Sequence, residues 1–199
     1  MAKIVGITGP SGAGKSLLCK YIADEGVPCI NADEVYHSML LPRSPCLDKI
    51  AETFGNDVIA ADGSLDRAVL SSRVFKSADM LRTLNDTVLP LVITEIKRII
   101  SELESKNYSV IALDAPTLIE SGFYRECDLV VAVIAPIESR IKRIELRDRI
   151  SDERARLRAK AQRPDEFYTS VAHITLINDT DEETFAQRSS ELALKIKNL

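Results

Sequence analysis

The chain is short of the residues that build metal clusters and disulfide frameworks. Its 199 residues include four cysteines, two histidines and no tryptophan. The cysteines, at positions 19, 29, 46 and 127, form no CxxC pair, and with so few histidines a metal cluster is not expected. We therefore expect Cys19, Cys29, Cys46 and Cys127 to be reduced thiols that are buried or half-buried.

Long apolar runs and linkers are also missing. No segment reaches the length of a membrane span, and the chain opens into a strand pattern without a signal peptide. This favours a cytoplasmic protein without membrane contact. No Gly-, Ser- or Pro-rich linker and no internal repeat divides the sequence, and its 45% apolar content is enough to bury a full core. The composition predicts one α/β domain with insertions, or one domain with a small satellite.

The most informative motif is the segment 9–16, Gly-Pro-Ser-Gly-Ala-Gly-Lys-Ser, which matches G-x-x-x-x-G-K-[ST] in full. A strand pattern precedes it and a helical pattern follows, which is the context that the motif needs. Its glycines allow positive φ angles, so backbone N–H groups gather round an anion at the start of a helix. Lys15 is expected to reach the β- and γ-phosphates, and the Ser16 hydroxyl to bind Mg²⁺. The motif predicts a nucleotide site; the alternative is a glycine-rich turn without a ligand.

Four further apolar runs predict strands that alternate with helices. Together with the first strand, they predict a parallel sheet covered on both faces, and they lie at 27–30, 110–113, 129–134 and 174–177. Asp33, Asp114 and Asn178 follow three of these runs. Because open α/β sheets bind ligands at the carboxyl ends of their strands, these side chains are expected near the phosphate loop.

Two of these acids have competing interpretations. Asp33 is a candidate acceptor of a hydroxyl proton in phosphoryl transfer, or an N-cap of the helix that follows. Its expected position opposite the phosphate loop favours the first interpretation. Asp114 follows four apolar residues, as a Walker B acid does, and either holds Mg²⁺ or caps the turn at Ala115-Pro116.

Nearly eighty residues separate the second and third predicted strands. That is too long for a simple crossover. Helical periodicity at 65–75, 81–84 and 88–103, with turn signals at 42–45 and 62–63, predicts a small helical insertion beside the sheet. Such an insertion is well placed to hold a phosphate acceptor.

Charge is unevenly distributed along the chain. The net charge is −4, yet residues 140–163 carry ten Lys/Arg against four acids, so this segment is +6 and the remainder −10. The interleaved acids and the scarcity of aromatic residues nearby argue against a nucleic-acid arm. A solvated helical face explains part of the charge, and the rest is available to face a triphosphate.

Together these segments resemble the dephospho-coenzyme A kinase family. The resemblance covers Ile-Val-Gly-Ile-Thr-Gly at 4–9 with the phosphate loop, Ile-Asn-Ala-Asp at 30–33, and Asp-Gly-Ser-Leu-Asp-Arg at 62–67 with Val74-Phe75. It continues through Leu-Asp-Ala-Pro at 113–116 with Leu-Ile-Glu at 118–120, Arg143, Arg147-Asp148, Gln162 and Asn178. The later motifs are specific through their joint order and spacing.

The resemblance implies a P-loop three-layer α/β fold with a five-stranded parallel sheet, a helical acceptor-binding insertion and a helical lid. The implied divisions are a nucleotide-binding core (1–34, 108–137 and 165–199), the insertion (35–107) and a basic lid (138–164). The implied reaction is phosphorylation of the ribose 3′-hydroxyl of dephospho-coenzyme A by ATP with Mg²⁺, the last step of coenzyme A biosynthesis. The expected partner is this small-molecule substrate, without nucleic acid or membrane, and the chain is expected to be a monomer or a weak homo-oligomer.

The same resemblance implies residue roles. The ATP phosphates would bind Gly12, Ala13, Gly14, Lys15, Ser16 and Leu17, and Ser16 and Asp114 would hold the metal. Catalysis would involve Lys15, Asp33 as the base or hydroxyl-positioning residue, and Arg147 as a lid residue closing on the γ-phosphate. Arg143 is a second lid candidate, and Asn178 would lie beside the adenine.

Three residues depart from the family pattern on the acceptor side. Asn31 replaces the first Asp of an Asp-Ala-Asp triplet, Leu89 precedes Pro90 where a His is common, and Thr117 replaces a Leu. The loop's Gly-Pro-Ser-Gly is closer to uridine and guanylate kinases. Because such changes alter which hydroxyl is oriented, a kinase for a nucleoside or another metabolite remains an alternative, as does a P-loop regulatory or assembly ATPase.

Overall fold

The computed structural model describes residues 1–74 and 76–199, so Phe75 of the family resemblance lies outside the described residues. The chain divides into two compact units. The core unit comprises Met1–Asn31 and Ile100–Leu199, and the helical unit comprises Ala32–Ile99.

The strands of the core unit form one parallel sheet in the order β2-β3-β1-β4-β5. They are β1 (Lys3–Thr8), β2 (Cys29–Asn31), β3 (Val110–Asp114), β4 (Leu129–Ile134) and β5 (Ile174–Ile177). The three central strands are almost wholly buried, as continuous apolar runs in a covered parallel sheet should be. The predicted α/β class with five parallel strands is confirmed.

The helices of the described residues follow in chain order. They are α1 (Lys15–Asp24), α2 (Ala32–Ser38), α3 (Pro45–Phe54), α4 (Arg67–Val74), α5 (Ala78–Ser105), α6 (Ile137–Asp148), α7 (Asp152–Lys160), α8 (Asp165–Thr169) and α9 (Glu182–Lys197), with short 3₁₀ turns at Asn56–Val58 and Phe123–Glu126. None of these helices combines the length and the apolar character that crossing a bilayer requires.

The register of the sheet determines where the site lies. Ile7 of β1 is aligned with Asp114 of β3, and Asn31 of β2 is aligned with the same Asp114. The carboxyl ends of β1, β2 and β3 therefore meet at one edge of the sheet, and the phosphate loop leaves β1 at this edge.

The main core of this unit lies between the sheet and the pair α1 and α9. Leu18 and Ile22 of α1 and Phe185 and Ile196 of α9 are almost fully buried in one cluster with residues of β1, β3 and β4. Burying a side chain of this size contributes about 1.5–3 kcal/mol. This packing anchors the helix that begins at the phosphate loop.

The helical unit differs in detail from the sequence expectation. The runs predicted at 81–84 and 88–103 join in one helix, α5, which continues through Pro90 at the cost of one backbone hydrogen bond. The turn predicted at 42–45 is present, since the Ser44 N–H donates to Leu41 O at 3.1 Å and Arg43 has a φ of 65°. It leads directly into α3: the Ser44 hydroxyl caps the helix by accepting from the Leu47 N–H at 3.2 Å, and Pro45 is its first residue.

Candidate nucleotide-binding site

The phosphate loop joins β1 to α1 and depends on glycine. Gly9, Gly12 and Gly14 have φ values of 135°, 78° and 113°. Gly14 is the N-cap of α1, and no side chain among the described residues caps this helix end. A helix end of this kind presents its first N–H groups to an anion.

Lys15 lies over the loop that precedes it. Its ammonium donates hydrogen bonds to Gly9 O at 2.8 Å and Pro10 O at 3.3 Å. A phosphate group offers the same kind of acceptor oxygen with more negative charge, so the lysine is positioned to exchange these carbonyls for phosphate oxygens.

Two oxygen donors for a hard cation lie at this edge. Ser16 is exposed in the first turn of α1, and Asp114, only 8% exposed, ends β3. A hydroxyl and a carboxylate are ligands that Mg²⁺ accepts in combination with phosphate oxygens, so the donor set fits this ion.

Three arginines on one face of α6 reach the loop. Arg140, Arg143 and Arg147 are spaced three and four residues apart, which places them on the same side of a helix. Arg140 Nε donates to Ser11 O at 3.1 Å, and Arg143 Nη1 donates to Gly12 O at 3.2 Å. Arg147 Nη2 donates to the Ser11 hydroxyl at 3.1 Å. The spacing is visible in the sequence, whereas the bond of Arg140 to the loop is seen only in the structure.

Arg147 is also held by its neighbour in sequence. Its Nε and Nη2 donate to the two carboxylate oxygens of Asp148 at 2.7 and 3.1 Å, and Arg158 donates to the same carboxylate. The hydrogen bonds from Arg147, more than those from Arg158, hold the pKa of Asp148 below its ordinary value. Asp148 therefore stays ionised and orients a guanidinium that is otherwise exposed.

Other basic residues of the segment belong to the surface. Arg156 on α7 pairs with Glu138 at 3.0 Å and with Asp152 at 2.8 Å, and all three side chains are largely exposed. The basic segment thus divides into a face that meets the phosphate loop and a face that meets solvent and neighbouring acids.

Asn178 and Gln162 bond the loop from other elements. Asn178 follows β5 and is only 5% exposed; its Nδ2 donates to Ala13 O at 2.8 Å, and its Oδ1 accepts from Arg143 Nη2 at 3.0 Å. Gln162 Oε1 accepts from the Ser11 N–H at 3.2 Å. The sequence placed Asn178 near the loop by topology, whereas these partners depend on the folded structure.

Arg140 is an unusual buried cation. It is 5% exposed, and burial lowers its pKa, while Asp165 and Tyr168 act in the opposite direction. Its Nη1 lies 3.7 Å from Asp165 Oδ1. Because burying a charge is costly without partners, the bonds to Ser11 O and to Asp165 explain why an arginine is tolerated here.

Asp33 is in the helical unit. It is exposed in the first turn of α2, two residues after the end of β2. Because α2 begins at Ala32, Asp33 lies inside the helix and not at its N-cap position. Its role in catalysis stays a prediction.

The four cysteines are free thiols. A hydrogen bond with Cys29, then burial, then the nearby Asp114 raise the pKa of Cys19. Burial, followed by the charges of Asp128 and Glu126, raises the pKa of Cys127 to about 12. Burial also raises the pKa of Cys46. These shifts oppose thiolate formation and fit the interpretation of reduced thiols at the edge of the core.

The helical unit contains a cavity of about 200 Å³. Its wall is mainly aliphatic, with one guanidinium and two hydroxyls, and is formed by Tyr36, Leu40, Leu65, Arg67, Leu70, Ser71, Val74, Leu81 and Leu84. Burial raises the pKa of Tyr36, with Cys46 adding to the shift and Arg67 opposing it, so the phenol stays protonated.

The loop, its lysine and the arginines of α6, on a parallel sheet of this order, define a P-loop kinase. The family model for dephospho-CoA kinase matches residues 3–184. A dephospho-CoA kinase of Corynebacterium glutamicum is 33% identical over 192 residues, which cover 96% of each chain. The chain therefore belongs to the dephospho-CoA kinase family, as the sequence resemblance indicated, and is an enzyme that uses ATP.

Solved structures share this fold. A crystal structure of a protein from Thermus thermophilus matches with a TM-score of 0.81 and 28% identity, covering 98% of this chain and 97% of that one. A dephospho-CoA kinase from Campylobacter jejuni has a TM-score of 0.73 at 23% identity, covering 100% of this chain and 98% of that one. The second likeness supports the fold.

Proposed function

We propose that this enzyme transfers the γ-phosphoryl group of ATP to the ribose 3′-hydroxyl of dephospho-coenzyme A, giving coenzyme A and ADP. Family membership over nearly the whole chain supports the acceptor. The observation that carries the chemistry is the Gly-Lys-Ser loop at the carboxyl edge of the sheet, faced by Arg147, which bonds the Ser11 hydroxyl at 3.1 Å.

The donor side uses the loop and its lysine. The N–H groups from Gly12 to Leu17 bind the phosphate oxygens, and the Lys15 ammonium exchanges Gly9 O and Pro10 O for the β- and γ-phosphates. Ser16 and Asp114 hold Mg²⁺, which when bound neutralises triphosphate charge. Arg147 brings a further positive charge to the transferring group, where developing charge is stabilised by fixed donors.

Asp33 is proposed to orient the acceptor hydroxyl and to receive its proton. A carboxylate suits this role because phosphoryl transfer depends mainly on positioning and on charge neutralisation, with a base needed only for the hydroxyl proton. Arg143 and Asn178 complete the nucleotide side by bonding the carbonyls of the phosphate loop.

The acceptor is proposed to bind through the helical unit. Its cavity of about 200 Å³ has an aliphatic wall with a guanidinium at Arg67 and hydroxyls at Tyr36 and Ser71. This combination suits part of the pantetheine arm, which is an aliphatic chain carrying amide groups. The predicted roles of residues 35–107 in acceptor binding and of residues 138–164 as a lid are retained as parts of this proposal.

An acceptor panel tests the proposal. The enzyme is incubated with Mg²⁺-ATP and, separately, with dephospho-coenzyme A, uridine, guanosine monophosphate and shikimate, and ADP is measured. Dephospho-coenzyme A is expected to give fast turnover over a slow basal hydrolysis. Faster ADP formation with another acceptor would identify that compound as the substrate, and the changes at Asn31 and Leu89 would then account for the altered specificity. No response to any acceptor would favour a regulatory ATPase.

The setting of the enzyme is part of the same proposal. We place the reaction in the cytoplasm, where ATP is the ordinary phosphoryl donor, and retain the expectation of a monomer or weak homo-oligomer. Light scattering on an eluting sample at several concentrations measures the oligomeric state directly.

A further inference from the structure

We propose that Arg140, Arg143 and Asn178 are positioning residues that orient three consecutive peptide planes of the phosphate loop, without needing to touch the nucleotide. The inference rests on the proposed function, because it takes this loop as the triphosphate site. It assigns to Arg143 and Asn178 a different task from the direct nucleotide contacts that the family resemblance implies.

The three side chains bond three carbonyls in succession. Arg140 Nε donates to Ser11 O at 3.1 Å, Arg143 Nη1 to Gly12 O at 3.2 Å, and Asn178 Nδ2 to Ala13 O at 2.8 Å. In a planar trans peptide, the C=O and the next N–H point in opposite directions. The N–H groups of Gly12, Ala13 and Gly14 therefore point away from the three side chains.

Lys15 lies on the opposite side of these peptide planes. Pro10 O accepts both from Lys15 Nζ and from the Ala13 N–H, each at 3.3 Å. The preceding plane has the reverse orientation, because the Ser11 N–H donates outward to Gln162 Oε1 at 3.2 Å. The Ala13 amide hydrogen and the lysine ammonium thus meet at Pro10 O, and we take this side of the loop as the one that receives an anion.

Close packing accompanies this arrangement. A Cβ on Gly12 would lie 2.7 Å from Arg140 O, and a Cβ on Gly14 would lie 2.6 Å from Asn178 Nδ2. Arg140 and Asn178 are each 5% exposed. The positioning residues therefore approach the loop as closely as glycine permits, which leaves the three planes little freedom to rotate.

Both polar side-chain atoms of Asn178 are already bonded at the phosphate loop. Its Nδ2 is bonded to Ala13 O, and its Oδ1 accepts from Arg143 Nη2 at 3.0 Å. Arg143 likewise divides its donors between Gly12 O and Asn178. The two residues form one bonded pair across the loop, and orienting the loop in advance avoids reorganisation when the triphosphate binds.

Asn178→Ala separates this role from an adenine contact. Calorimetry would measure the affinity for ATP and for inorganic tripolyphosphate, which has the phosphates but no base. Loss of one hydrogen bond that orients the loop is expected to weaken both ligands by the same factor, about tenfold. Weakening of ATP alone would overturn the proposal in favour of a base contact, and unchanged affinity for both would overturn it as well.

Arg143→Ala is a second variant with a less buried side chain, and the pair forms a double-mutant cycle. Because Arg143 and Asn178 share a bond, the double variant should lose less affinity than the product of the two single losses. If the double variant loses the full product of the two single losses, Arg143 and Asn178 act independently and do not form a bonded pair. The matched control is Arg156→Ala, which removes an arginine on α7 that bonds the carboxylates of Glu138 and Asp152. This variant should bind both ligands as wild type does.

The wild-type titrations distinguish this inference from the proposed function. If wild type binds neither ATP nor tripolyphosphate, both the proposed function and the positioning role are refuted, because the loop is then not a triphosphate site. If wild type binds both ligands and Asn178→Ala binds them with the same affinity, the positioning role is refuted and the proposed function is not.

Discussion

Replacing Gly14 by alanine tests whether the loop needs its glycine for backbone conformation or also for close packing. Gly14 has a φ of 113°, and a Cβ there would lie 2.6 Å from Asn178 Nδ2 and 3.0 Å from Phe185 Cε1. The side chain of Asn178 is bonded at both ends and the Phe185 ring is 1% exposed, so neither yields easily. Gly26 provides the matched control: its φ is 83°, and a Cβ there would have no neighbour within 4 Å.

The two costs follow from these surroundings. A positive φ costs a residue with a Cβ about 1–2 kcal/mol, which applies to both positions. Overpacking adds about 1–3 kcal/mol at Gly14 alone. Gly14→Ala is therefore expected to destabilise by about 2–5 kcal/mol in total, against about 1–2 kcal/mol for Gly26→Ala.

Thermal unfolding and calorimetric titration of Mg²⁺-ATP measure both effects. Gly26→Ala should lose a little stability and no affinity for ATP. Gly14→Ala should lose more stability than Gly26→Ala and at least about tenfold in affinity for ATP, which corresponds to the loss of one loop hydrogen bond. Equal behaviour of the two variants, with ATP affinity retained in Gly14→Ala, would refute the reasoning.

Three further predictions concern single side chains. Asp33→Asn should lower kcat by about 10²–10⁴ with little change in ATP affinity, and an unchanged kcat would remove Asp33 from the mechanism. Arg147→Ala should lower kcat by a factor of about 10²–10³ while the melting temperature stays near that of wild type. An effect on solubility alone would show that Arg147 is an ordinary surface residue without a role in catalysis. Cys127, with its pKa raised from 9.0 to about 12, should have a thiolate fraction at pH 8 about a thousandfold lower than an unshifted thiol, so iodoacetamide should modify it slowly in native protein and rapidly in urea. Fast native labelling of Cys127 would contradict its burial.

The sheet and its ligand edge were predictable because their signals are local. The apolar runs at 129–134 and 174–177 coincide with β4 and β5, and the residue after β5 is the Asn178 expected at this edge. Strand β2 spans Cys29–Asn31, so it begins two residues later than the run at 27–30 and ends one residue after it. A Gly-Lys-Ser motif is typical of a loop between a strand and a helix, so the position of the loop between β1 and α1 was predictable, while the roles of Lys15 and Ser16 stay predictions.

The contacts that surround the loop were not predictable from local patterns. Arg143 meets Asn178 across 35 residues and Gly12 across 131, and such pairings exist only once the sheet has brought α6 beside the loop. The spacing of 140, 143 and 147 shows that three arginines share one helix face, but not what that face meets. In the helical unit, the composition of 42–45 predicts the turn, but it does not show that Ser44 and Pro45 also begin α3.

Calorimetric titration of Mg²⁺-ATP into wild type and into Lys15→Ala tests most directly whether this loop holds a triphosphate. Wild type should bind one nucleotide per chain with measurable heat, and Lys15→Ala should bind far more weakly. It should unfold at nearly the same temperature, because the Lys15 ammonium donates to carbonyls of its own loop, Gly9 O and Pro10 O, and adds little to the packing of the core. Well-folded wild type that takes up no nucleotide, or a Lys15→Ala variant that binds as tightly as wild type, would contradict the assignment.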